Sequence, residues 1–393
     1  MMRTFKYCFT FLFFVANCFG QQVEAKIVDY TLPEALKTID GETVTTISAW
    51  EKKRRPEVLT LFENNIYGQI QKRYDDIRFI VTDDAVNAIK GKARVKEVTI
   101  IVEKAKKSVT VHLTLFTPLN NKKPSPVFLL INNGSKNNTD SGEKGKSDFG
   151  PVEMVIDSGY AIAVVYTGDA APDNKETYHH GVLQLYPNQL TETNGMKAIG
   201  AWAWAASRAM DYLKTDREID FTKVGVVGHS RGGKTSLWAG AQDQRFALIF
   251  SSCSGCTGAA LARRQSGESV KAINTAFPHW FNNNYKKYNS NVNDLPVDQH
   301  MLIALIAPRP VYTTSATQDL WADPVGSYLS IVNAQKVYAL YGKHSALTPD
   351  IPPPNTPILH SVLGYHIREG GHDLTVYDWG NFILFANFHY FQK

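Results

Sequence analysis

Cysteine is scarce in this chain. There are four in 393 residues, and two of them, Cys8 and Cys18, fall in an N-terminal stretch that reads as a removable leader. The remaining pair, Cys253 and Cys256 in "SSCSGCTG", is too little for the disulfide framework that small secreted domains need. Two thiols alone also make no structural zinc site, so the expectation is a pair of small buried thiols behind a strand. Long apolar runs are missing too. The run Tyr7 to Ala16 is too short to cross a bilayer, and no later segment is long and apolar enough to do so. Excess charge of one sign is absent: 42 Lys and Arg against 37 Asp and Glu leave a net +5 with no long basic run. Nucleic-acid binding therefore has no support. Internal repeats and low-complexity linkers are absent as well.

What is present suits one large globular domain behind a leader, with 44% hydrophobic and 20% charged residues. In "MMRTFKYCFTFLFFVANCFGQQ", Arg3 and Lys6 supply the positive start, and Tyr7 to Ala16 supply the apolar centre. Gly20 before Gln21 is the expected cleavage point, giving a mature domain of residues 21–393 that is secreted or periplasmic. Cys18 offers lipid anchoring as the alternative, with Asn17 before it a poor fit.

Along the mature chain, "AWEKKRRPEVLTLFENNIYG" predicts a helix with an exposed basic face. "VKEVTIIVEKAKKSVTVHLTLFTP" predicts an antiparallel hairpin. Strands and helices then alternate. "PVFLLINN", "YAIAVVYTGD", "KVGVVGHS", "FALIFSSCSG", "PRPVYTTSATQD" and "VLGYHIREGGHD" read as strands, and "GMKAIGAWAWAASRAMDYLKT" as a helix. The expected fold class is α/β: a mostly parallel central sheet between helices, a three-layer sandwich with an N-terminal antiparallel hairpin. The polar stretch "NNGSKNNTDSGEKGKSDFG" reads as a surface loop.

The stretch "KVGVVGHSRGGKTSLWAG" carries the chemistry. Gly-x-Ser-x-Gly is short enough to arise by chance, but here an apolar β-branched strand precedes it and a helix start follows. That is the context of a nucleophile elbow, in which the residues two before and two after the serine must be small. Ser230 is the candidate nucleophile. Its hydroxyl needs a neighbouring base, and His372, after Gly370 and Gly371 and past the last strand, is the candidate. Asp319 would hold the imidazole tautomer; its bland alternative is a helix-capping carboxylate. The three occur in the order nucleophile, acid, base, each just past a predicted strand, where sites form in parallel sheets. Among the 11 histidines, His112 and His389 fit structural or solvated positions. The Arg231 backbone N–H is the expected first oxyanion donor, and a second is expected from the loop around Asn133 and Gly134. Arg231 and Lys234 place two cations beside the nucleophile, which suits an oxygen-rich or acidic substrate.

These residues together resemble the glucuronoyl esterases, carbohydrate esterase family 15, of the α/β-hydrolase superfamily. "GHSRGGKTSLWAGAQDQRFA", "GAALARRQSGESV" with "FPHWFNNNYKKY", "DLWADPVGSYLS" and "EGGHDLTVYDW" are similar to blocks of its bacterial members. The resemblance runs from about Trp50 to the C-terminus. It implies no metal or other cofactor. It implies Ser230 as nucleophile, His372 as base, Arg231 at the oxyanion, and Lys234, Glu268 and Trp321 at the sugar. The implied substrate is the ester between glucuronic acid side groups of xylan and lignin alcohols, and the implied partner is a plant polysaccharide bearing uronic acid, met by a monomer. One departure stands out. Where many members carry a catalytic glutamate after the strand that follows the serine block, this chain places Cys253, so the acid falls to Asp319. Two other readings stay open: a broader carbohydrate esterase such as an acetylxylan deacetylase, and an inactive homologue retained for polysaccharide binding.

Overall fold

Residues 127–131 alternate between two cores. Val127, Leu129 and Ile131 join one buried cluster, Phe128 and Leu130 the other. Period-two alternation with both sets buried is the mark of a strand covered on both faces. The same division holds along the neighbouring strands: Ala161, Ala163 and Val165 face one side, Ile162 and Val164 the other. A computed structural model describes residues 30–134 and 147–391. The leader with its Gly20–Gln21 junction, Cys8 and Cys18, and residues 135–146 of the polar loop lie outside the described residues.

Among the described residues, nine strands form one sheet in the order β1-β2-β3-β5-β4-β6-β7-β8-β9. β1 (Asp76–Asn87), β2 (Ala93–Lys104) and β3 (Lys107–Pro118) are antiparallel, and β3 pairs antiparallel with β5 (Ala161–Tyr166). β4 (Ser125–Asn132), β6 (Ile219–His229), β7 (Leu248–Ser252), β8 (Val311–Ala316) and β9 (Leu363–Arg368) continue the sheet with parallel pairings. Helices Ala198–Leu213, Arg231–Gln242 and Pro324–Leu340 pack on one face. Helices Val152–Asp157 and Val376–Phe391 cover the other. This is the expected three-layer α/β sandwich, with the hairpin as β2 and β3. No described helix is long and apolar enough to cross a membrane.

Two details differ from the sequence expectation. β1 was not expected. It is an edge strand, exposed along most of its length, with Ile80, Val81 and Val86 facing solvent. Its residues therefore lack the buried alternation by which a strand is recognised. The second difference concerns the N-terminal helix, whose basic residues were expected on an exposed face. Arg54 and Arg55 are buried instead. Arg55 donates from Nε to the Leu305 carbonyl at 3.1 Å and from Nη2 to the Ala241 carbonyl at 2.9 Å. The second carbonyl ends the helix that begins at the elbow, so a charged donor answers one of that helix's open carbonyls.

We expect Arg55→Ala to cost about 3 kcal/mol in stability, because it leaves buried carbonyls without donors. Urea denaturation measures it; a loss below about 1 kcal/mol would mean that solvent reaches those carbonyls once the side chain is gone.

Candidate active site

β6 delivers Ser230 into a sharp turn. Its φ is 55° and ψ is −122°, a conformation that side-chain-bearing residues rarely adopt. The close approach of strand and helix explains the flanking glycines. A Cβ on Gly228 would lie 2.0 Å from the Gly232 carbonyl oxygen. One on Gly232 would lie 2.8 Å from Asn133 Oδ1 and 3.1 Å from the Ile131 oxygen. The turn is tied to the next strand by the Ser230 N–H, which donates to the Ser252 carbonyl at 2.8 Å.

His372 sits past β9. Its Nδ1 is 2.7 Å from Asp319 Oδ2, and Asp319 lies three residues past β8. The carboxylate is buried while the imidazole is nearly half exposed. Beneath the loop, Arg368 holds its shape. The guanidinium donates to the carbonyls of Glu369 at 3.1 Å, Gly371 at 3.0 Å and Asp373 at 2.6 Å, and to Asp378 Oδ2 at 3.0 Å. Asp378 also meets His366 Nε2 at 2.8 Å and accepts from the Thr375 N–H at 2.8 Å. Burial pushes the Asp378 carboxyl up, but its hydrogen bonds with His366 and the charge of Arg368 outweigh that and hold it below the usual range.

Ser230, Arg231, His372 and Asp319 line a cavity of about 310 Å³, together with Lys234, Glu268, Trp321, Phe277 and Trp280. Seven residues expected from sequence thus line one cavity, while Asn133 and Gly134, expected to supply a second oxyanion donor, do not. Their surroundings differ. Arg231 is held on one side by an ion pair to Asp173 Oδ2, and its guanidinium lies 5.6 Å from the Trp280 ring centre. Its Nε is buried with no partner among the described residues. Lys234 is 4% exposed, and its Nζ donates to the Ser254 carbonyl at 2.6 Å and the Cys256 carbonyl at 2.7 Å, with Glu268 Oε2 at 3.5 Å. Trp321 is 60% exposed, so its indole is free to meet a ligand. The Gly134 N–H is already committed to Asn132 Oδ1 at 2.9 Å, while Asn133 packs under the elbow.

Cys253 also lines the cavity. It is buried with φ 44°, and burial pushes its thiol far above the ordinary range. Such a thiol stays neutral and supplies no orienting negative charge. Both Cys253 and Cys256 are free and buried. His112 pairs with Asp169 at 2.9 Å and His389 with the Ser361 carbonyl at 3.0 Å, both away from the cavity.

Sequence reasoning missed Asp173. Its Oδ1 accepts from Trp280 Nε1 at 2.7 Å and meets His279 Nε2 at 2.8 Å, while Oδ2 holds Arg231. Burial raises this carboxyl, but the hydrogen bonds from His279, Trp280 and Arg231 bring it below the usual range. Its place beyond β5, at the same sheet edge as the other site residues, was the available signal. His229 was also missed. Its ring lies 4.6 Å from that of His372, and burial, then the neighbouring His372, lowers its pKa to about 3.

Residues 100–342 match the family model described as glucuronyl esterase, fungi. The chain is similar to the carbohydrate esterase MZ0003 of an unknown prokaryotic organism, at 40% identity over 93% of this chain and 91% of that protein. Its structure is similar to a glucuronoyl esterase from Solibacter usitatus, with TM-score 0.85 and 38% identity over 93% of this chain and all of the other. It is similar as well to a promiscuous CE15 esterase from a marine bacterial metagenome, with TM-score 0.84 and 39% identity over 93% and 98% of the two chains.

A pH dependence of stability follows from His229. The unfolded chain protonates this imidazole near pH 6.5, the folded one only near 3. Between those values the unfolded state binds more protons, so stability falls as pH drops below about 6.5. His300 and His389, also lowered by burial, act in the same direction. Urea unfolding at pH 7.5 and pH 5 checks this: His229→Asn should lose less stability across the interval than the parent, and an equal loss would remove His229 as a source.

Proposed function

The chain belongs to the glucuronoyl esterase family of carbohydrate esterases, and on that premise we propose that it hydrolyses the ester joining (4-O-methyl-)glucuronic acid side groups of glucuronoxylan to lignin alcohols. Carboxylic ester hydrolysis is the family's reaction; the substrate and the residue roles are the reading offered here. The observation that carries it is the 2.7 Å contact of His372 Nδ1 with Asp319 Oδ2 in the cavity that Ser230 also lines.

In this reading His372 Nε2 takes the Ser230 proton as Oγ attacks the glucuronoyl carbonyl carbon. The proton on Nδ1 stays there, donated to the Asp319 carboxylate, which fixes the tautomer and offsets the charge of the imidazolium. The tetrahedral oxyanion is met by the Arg231 backbone N–H and by Arg231 Nε, which is buried without a partner among the described residues and whose guanidinium Asp173 anchors. Collapse expels the alcohol, which takes its proton from His372, and leaves the glucuronoyl group on Ser230. Water then attacks by the same route in reverse order of roles. Glu268 and Trp321 are assigned to the sugar, the carboxylate to hydroxyls and the exposed indole to a pyranose face. Lys234 is assigned to the same subsite, where it serves both the sugar and the carbonyls it already bonds. No cofactor enters, and the protein acts as a secreted or periplasmic monomer on a uronate-bearing polysaccharide.

The commitment of Lys234 to two backbone carbonyls favours a second, broader reading. A site with fewer free donors for a uronate would also accept other carbohydrate esters, such as acetylated xylan.

Turnover of methyl or benzyl glucuronate beside a simple acetate ester separates the two. We expect the glucuronate to be preferred, and Ser230→Ala to abolish hydrolysis of both while glucuronate binding persists. Wild-type turnover in that variant would remove Ser230 as nucleophile.

Asp319→Asn tests the acid. It keeps the shape and removes the charge, a change that costs about 10⁴-fold in a serine protease triad. Arg368 and the loop also hold His372 here, so we expect a loss of roughly 10²-fold or more in kcat. Near-normal turnover would move the acid elsewhere.

A further inference from the structure

Cys253 stands beside the His372–Asp319 pair, and the reaction just described does not use it. Its Sγ, a carboxylate oxygen of Asp319 and a ring nitrogen of His372 all lie within 4.8 Å of one another. All three residues line the same cavity, so an ion from solvent has a path to them and an open side once there. Thiolate, imidazole and carboxylate together suit a borderline-soft divalent ion such as Zn²⁺ or Cd²⁺ rather than Mg²⁺ or Ca²⁺. Three protein ligands with the fourth position facing a cavity is an ordinary tetrahedral zinc arrangement.

We propose that Cys253, Asp319 and His372 form an inhibitory site for a soft divalent cation. The ion takes the place of the proton between Asp319 and His372 and draws in Cys253 as a thiolate. Protons balance as follows. The thiol releases one to solvent, because only the thiolate is a ligand. The imidazole stays neutral and binds the ion through Nδ1, so its single proton leaves Nδ1 and Nε2 carries one. An Nε2 that holds a proton cannot accept the one from Ser230, so hydrolysis stops without any change at the serine. Bond lengths near 2.0 to 2.1 Å to nitrogen and oxygen place those two ligands ~3.3 Å apart. The present 2.7 Å contact must therefore open by about 0.6 Å. The imidazole is the partner free to move, since it is nearly half exposed and Asp319 is buried. Cys253 is what completes the set.

Cation binding stands without the reaction assignment; only the inhibition rests on His372 as base. The experiment therefore reads both. Cd²⁺ is titrated into the whole protein and followed by thiolate-to-metal charge-transfer absorption, and Zn²⁺ is titrated against methyl glucuronate hydrolysis, with each rate compared with the same protein free of metal. We expect a charge-transfer band saturating at one Cd²⁺ per chain, and loss of hydrolysis with Zn²⁺ that a chelator reverses. Cys253→Ala should lose the band and need about tenfold more Zn²⁺ for half inhibition, or beyond. Cys253→Ser, closer in shape, should also lose the band. Asp319→Asn should keep the band at weaker affinity, and Cys256→Ala should keep it unchanged. A band that survives in either Cys253 variant, or Zn²⁺ sensitivity equal to the parent in Cys253→Ala, overturns the proposal. A protein that binds Cd²⁺ through Cys253 but hydrolyses no glucuronate would overturn the substrate reading and leave the cation site standing.

Discussion

The contact between the end of β6 and the helix that follows it governs the whole site. Gly228 faces the Gly232 carbonyl so closely that no Cβ fits between them. With the strand and helix pressed together, Ser230 has only the strained positive-φ turn available to it. The strain is supported by the parallel pairings of β6 on both sides and by the Ser230–Ser252 hydrogen bond. The same geometry starts the helix at Arg231 and brings Lys234, one turn on, down to the Ser254 and Cys256 carbonyls. One tight turn thus sets Ser230, the Arg231 backbone N–H and the floor of the cavity.

The other half of the site rests on a buried charge. A loop carrying His372 after two glycines has little intrinsic order. Arg368 supplies it by donating to three loop carbonyls while Asp378 balances its charge. A buried ion pair adds little net stability on its own. Here it fixes one loop shape, and through that shape it brings His372 to Asp319. Asp173 does the corresponding task for Arg231, with His279 and Trp280 holding it in turn. Two carboxylates, the buried Asp378 and the more exposed Asp173, thus hold Arg368 and Arg231 in place.

The Cys253 thiol is buried and neutral, and it is the Asp319 carboxylate, from the neighbouring strand end, that meets His372. Both positions project from adjacent parallel strands, β7 and β8, whose carboxyl ends stand side by side. Side chains from two neighbouring strand ends thus reach the same histidine.

Much of this was legible in the sequence because it is local. The elbow is written in Gly228, Ser230 and Gly232, the hairpin in alternating apolar residues, and the parallel strands in runs such as "PVFLLINN". The order Ser230, Asp319, His372 along the chain, each past a strand, follows from the same patterns. β1 was not legible, because an exposed edge strand pairs through its backbone and leaves its side chains without a burial pattern. The burial of Arg54 and Arg55 was hidden for a related reason: whether an arginine faces water or a carbonyl depends on what packs over it, and Leu305 lies 250 residues away. The same holds for Asp173, Arg368 and the commitment of Lys234. Periodicity and motif spacing record a residue's own conformation and solvent exposure. Only the tertiary structure decided which buried charges meet, because their partners come from distant segments and the cost of burying a charge is settled by those partners.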